Sequence, residues 1–173
     1  GSLIANRGAV DAPAPILGAV SETTRTVISG TPHVTPLHTC PDVVASAEQF
    51  TFDLSFYNSA STPDTDVVIS EVIPPGLTFV GATFTWNASS TALASFPIGF
   101  TADPPIGQPA PLGRTITWDI TDAIGGPLGS LQGGTFAIEV IADAGLSSGT
   151  FVTPTGTAYA ANLLIPSGIS FDS

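Results

Sequence analysis

No lysine occurs anywhere in this chain, and Arg7, Arg25 and Arg114 are its only formal cations beside 14 acidic residues, a net charge of -11. Phosphates find nothing here to neutralise them, so nucleic acid is excluded as a partner, and an anionic membrane surface is disfavoured for the same reason. A Lys–Asn isopeptide crosslink cannot form either. Cysteine occurs once, at Cys40, which rules out an internal disulfide and leaves the redox compartment unread. Methionine is missing even from position 1, so the numbering is expected to start at a processed or trimmed end. No apolar run approaches the roughly 18 to 20 residues that a membrane-spanning helix needs. Charged residues make up only 10% of the 173 positions while the hydrophobic set reaches 43%. Ser, Thr, Gly, Pro and apolar atoms must therefore cover much of the surface of a single domain.

What is present alternates. Across QFTFDLSFYN, Phe50, Phe52, Leu54 and Phe56 fall on one side, and Thr51, Asp53, Ser55 and Tyr57 on the other. That period of two predicts a strand with one buried face. The loop SASTPDTD is dense in turn formers, and a β-branched run resumes after it. Pro74-Pro75-Gly76 cannot continue a paired strand: two prolines donate no hydrogen bond, and Gly76 permits a positive φ. Further strands are predicted at residues 77–86, at 114–120 with Ile116, Trp118 and Ile120 inward, at 135–142 with Phe136, Ile138 and Val140 inward, and within 149–162. Residues 24–34 form the expected first strand. Glycine and proline supply 18 and 16 positions, and no window carries a helical period. Seven to nine strands of this kind need two sheets packed face to face. The fold class read from the pattern is therefore an all-β, immunoglobulin-like sandwich over residues 24–173, with an insertion at about 87–113 and an extended N-terminal segment over 1–23.

The order of these segments resembles a known family. A strand ending in Tyr57-Asn58, then DVVISEVIPPGLTFVGA, TITWDI, FAIEVIA and GTFVTPTGTAYAAN are together similar to the domain of unknown function eleven. That family comprises immunoglobulin-like repeats of bacterial and archaeal surface proteins. The match spans roughly residues 39–162, and the Pro-x-Gly-Leu-x-Phe-Val element with Trp118 carries most of it. Glu71 and Ile73-Pro74-Pro75-Gly76 stand where the family usually shows Asp and Leu-Pro-x-Gly. The resemblance implies an extracellular, non-catalytic building block, with no catalytic residues to carry over.

Candidate sites each have a plainer reading beside them. Asp64, Asp66 and Glu71 supply oxygen ligands of the type calcium takes, as do Asp119 and Asp122, whereas Asp in loops routinely stabilises turns. No cofactor is expected apart from calcium at these acids. His33, His38 and Cys40 lack the spacing of a structural zinc site and read as loop polar residues. Asn87-Ala88-Ser89 is an N-glycosylation triplet in the insertion. The aromatics at Phe50, Phe52, Phe56, Trp86, Trp118 and Phe136 read as core rather than as a ligand groove, because they occupy alternating strand positions. No nucleophile elbow or facing carboxylate pair occurs, so no enzymatic activity is expected.

The N-terminal segment is the oddity. Pro15, Ile16, Leu17 and Val20 lie in an extended apolar stretch suited to pairing along an open sheet edge, its own or that of another copy. A donated strand, repeated head to tail, builds an open fibre. Two functional readings follow. One is a subunit of a cell-surface filament or layer, with copies of itself as partners. The other is a stalk or binding repeat of a large adhesin, with neighbouring surface domains as partners.

Overall fold

The structure is a computed structural model that describes residues 2–6, 24–28, 34–41, 43–160 and 169–172. The chain divides into two compact units, Gly1–Gly30 and Thr31–Ser173. In the first unit, β1 (Ser2–Asn6) pairs antiparallel with β2 (Thr24–Ile28), Ser2 opposite Ile28. The stretch expected as one strand over 24–34 is thus two: β2 pairs with β1, and Val34 opens the next strand. Pro15, Ile16, Leu17 and Val20 lie outside the described residues, as does His33.

The second unit is an immunoglobulin-like β-sandwich. Its strands are β3 (Val34–Thr39), β4 (Gln49–Asn58), β5 (Val68–Ile73), β6 (Leu77–Trp86), β7 (Thr101–Asp103), β8 (Arg114–Asp119), β9 (Gly133–Ala142), β10 (Thr155–Tyr159) and β11 (Ile169–Asp172). One sheet runs β11-β10-β5-β8-β7 and the other β3-β4-β9-β6, all neighbours antiparallel. The chain crosses between sheets after β4, β5, β6, β8 and β9, so neither sheet is built from one run of sequence.

Alternation places the core where it is expected. Phe52, Leu54 and Phe56 from β4, Ile116 and Trp118 from β8, and Phe136, Ile138 and Val140 from β9 are all buried. Trp118 and Phe136 stack across the two layers with ring centroids 4.2 Å apart. Offset stacking of this kind adds about 0.5 to 1.5 kcal/mol beyond area burial. Gly76 sits at φ 94°, the left-handed value that the Pro-Pro-Gly turn requires, with the Leu146 side chain packed close against it.

Two elements depart from a strand-only chain. Ile120 is buried, but it opens a short helix, α1 (Ile120–Ile124), because the Asp119 carboxylate accepts the Asp122 N–H at 2.9 Å and caps the turn. The insertion contains a 3-10 helix (Ala88–Leu93) and then β7, which joins the sheet edge beside β8. Phe100 reaches both Phe79 and Trp118, and Trp86 Nε1–H donates to Phe96 O at 3.0 Å. The insertion therefore packs against side chains of β6 and β8 without bonding to the β6 backbone over residues 79–86.

Candidate functional site

The interior holds an acid–base pair that binary patterning does not ask for. His38, on β3 of one sheet, places Nε2 3.1 Å from Glu71 Oε2, on β5 of the other, and their side chains are 2% and 0% exposed. Glu71 faces inward because it shares the parity of Ile69 and Ile73, both buried. Phe52 presents its ring to His38 at 5.6 Å in an edge contact. Burial pushes the Glu71 carboxyl above its ordinary range, and the charge and proximity of His38 pull it back only in part. An acid and a base at this distance can share a proton, yet both are sealed from solvent. The pair ties the layers together across the core.

The acids named as calcium ligands are separated by burial. Asp64 is fully buried, and its backbone exchanges hydrogen bonds with Leu128 at 2.9 and 2.8 Å. Glu71 belongs to the interior pair, while Asp66 stands exposed with φ 53°, a left-handed turn position that Asp tolerates. Asp66, Asp119 and Asp122 line a shallow depression of about 430 Å3 with Thr65, Thr121 and Pro127. There, Asp119 is already occupied as the cap of α1. Among the described residues no group of three or more His, Cys, Asp or Glu is arranged to hold a metal ion.

Sequence reasoning missed the organiser of this end of the sandwich, Asn58. Its side chain, fully buried, donates to Thr62 O at 2.8 Å and Leu128 O at 3.0 Å and accepts from the Ala60 N–H at 2.9 Å. The only signal was its inward parity with Leu54 and Phe56. Asn87 makes a parallel arrangement: its amide donates to Leu131 O at 3.0 Å and accepts from Ser90 Oγ at 2.7 Å. Nδ2, the atom a glycan would modify, is thus held against the neighbouring loop. Cys40 follows β3 and is partly buried against the core.

At the opposite end, a second depression of about 680 Å3 lies between the start of β6 and residues 106–111, with Arg114 and Asp143 among its walls. Arg114 donates to Gln108 O at 2.6 Å, which holds the proline-rich loop down. Apolar side chains stand outside the core as well. Val43, Leu112 and Phe151 are 87%, 90% and 96% exposed, and Leu37, Ile106 and Leu131 are more than half exposed. No helix among the described residues is long and apolar enough to cross a membrane.

No protein-family model and no curated protein matches the chain. The likeness to the domain of unknown function eleven thus rests on the motif residues. Among solved structures, the chain is similar to BcpA*(D312A), the major pilin subunit of Bacillus cereus, at 9% identity and a TM-score of 0.46, covering 97% of this chain and 45% of that one. It is similar to the collagen-binding domain from a Staphylococcus aureus adhesin at 12% identity and a TM-score of 0.45, covering 86% and 97%. AvmM, which catalyses macrocyclization in alchivemycin A biosynthesis, is similar at 13% identity and a TM-score of 0.40, covering 80% and 87%. What these proteins bind, build or catalyse is their own.

Proposed function

We propose that this chain is a non-enzymatic structural subunit of an extracellular filament or surface layer, joined to copies of itself by edge pairing or strand donation. The observation that carries the reading is the exposure of large apolar side chains, Val43, Leu112 and Phe151 foremost, on a sandwich whose core is already filled. Where such side chains gather into a patch, they supply contact surface for a partner. An acidic chain that repels its own copies through space can still associate where its contacts are uncharged.

Strand donation would use the apolar stretch 14–20, with Pro15, Ile16, Leu17 and Val20 as its apolar side chains. Removing residues 1–20 tests it: assembly is lost while the circular dichroism of the sandwich is retained. Unchanged polymerisation of the shortened chain would leave donation without support.

A further inference from the structure

The hydrogen-bonding phase of the four-stranded sheet can be read from two bonds at its end. Asn87 N–H donates to Gly133 O, and Asn58 N–H to Gln132 O, each at 2.9 Å. In an antiparallel ladder the groups alternate in direction, so even-numbered residues of β9 face β4 and odd-numbered ones face β6. With Thr83 opposite Ala137 and Thr85 opposite Thr135, residues 81, 83 and 85 direct their N–H and C=O toward β9. Ala82, Phe84 and Trp86 direct theirs the other way, to the sheet edge. Among the described residues, no hydrogen bond outside the β6–β9 ladder reaches the backbone of residues 79–86. A Cβ built on Gly81 would meet nothing within 4 Å.

Among the described strands, the other three sheet edges carry guards. β3 contains Pro36, β7 is 3 residues long and runs into Pro104, and β11 is 4 residues long and ends at Asp172. β6 has 10 residues with neither proline nor charge. Its one irregularity is the register shift between Phe79 and Gly81, which leaves 81–86 in unbroken register.

This stretch is also complementary to itself. Laid antiparallel on a second copy, with the two-fold axis beside Phe84, it pairs Phe84 with Phe84, Ala82 with Trp86, and Trp86 with Ala82. Every outward group between 82 and 86 then has a partner. Thr83 falls opposite Thr85 of the second copy on the exposed face, a favourable cross-strand pair. No charge from either strand enters the contact, which matters between two chains of net charge -11.

The geometry points to β6 as the contact edge for a second copy of this chain, paired antiparallel about Phe84 so that the two four-stranded sheets become one. The inference deepens the edge pairing of the proposed function and rests on that reading. A two-fold contact closes on itself, so it makes a pair, and a fibre needs a further contact elsewhere.

Cysteines placed in register test it. Opposed residues between hydrogen-bonded pairs have Cα atoms about 4.5 Å apart, within disulfide reach. The full chain carrying Cys40→Ser, Thr83→Cys and Thr85→Cys should form a covalent dimer under mild oxidation. Its rate should exceed about tenfold that of a chain with Cys40→Ser, Thr51→Cys and Asp53→Cys, which places both thiols on β4 of the same face. Adding Ala82→Pro removes an outward N–H and should return the rate to that of the control. Because proline can also disturb folding, Thr83→Lys in the native sequence gives a second measure: the paired fraction in sedimentation falls while the melting temperature holds. Equal crosslinking rates, or pairing indifferent to Thr83→Lys, would overturn the assignment. Filaments formed without register-specific crosslinking would sink the β6 edge alone. Crosslinking without filaments would sink the filament reading and leave the pairing standing.

Discussion

At the scale of single residues, the His38–Glu71 pair decides most. Removing one member leaves the other buried and uncompensated, which costs about 3 to 5 kcal/mol, whereas replacing both with apolar side chains costs far less. Glu71→Leu should therefore lower stability steeply in urea titration, and His38→Leu added to it should recover most of the loss. Further destabilisation by the second change would contradict the pairing. The pH dependence follows from linkage. The folded carboxyl lies above its ordinary 4.5, so the folded chain holds a proton that the unfolded chain has released between those two values. Its contribution to stability is present below 4.5 and is lost as pH rises through the folded value. Stability curves of the native chain and Glu71→Gln, which keeps an uncharged side chain at every pH, should run parallel below 4.5 and separate as pH rises through the folded value; a pH-independent difference would refute the assignment. Half of this pair was legible: in VISEVI, Glu71 has the parity of Ile69 and Ile73. His38 was not, because Pro36 interrupts the strand pattern there and the alternation favours a first strand over 24–34.

At the scale of elements, strong alternation fixed position well. β4 and β6 occupy the predicted residues, and β8 stops one residue early because Asp119 caps a helix that five residues cannot announce by period. β9 starts earlier than predicted, at Gly133, since both glycines lie inside the strand, where a side chain has no room. A Cβ on Gly134 would fall 2.4 Å from Phe84 Cζ and 2.5 Å from Thr85 O. Gly134→Ala should accordingly cost about 1 to 3 kcal/mol through overpacking, seen as a lower urea midpoint; an unchanged midpoint would mean that β6 and β9 are less closely apposed. Asn58→Ala removes three hydrogen bonds at the loop carrying Asp64, with an expected loss of about 2 kcal/mol or more. Hydrogen exchange at Ala60 and Asp64 should accelerate in that variant, and unaltered protection there would argue against Asn58 as the organiser. Such roles escaped the sequence because a strand-terminal Asn looks the same whether it faces solvent or the core.

At the scale of the whole molecule, the layered sandwich was readable because the sequence repeats one signal, apolar in and polar out, through most of its strands. Sheet order was not: β9 sits between β4 and β6, and β5 between β10 and β8, through crossovers that no local pattern encodes. In the proposed role, uncharged edges and exposed apolar side chains join copies of the chain. Electron microscopy of the intact chain at physiological ionic strength addresses that claim most directly. Thread-like or sheet-like polymers with a regular subunit repeat are the predicted result, and a field of separate monomers that persists at high protein concentration would contradict it.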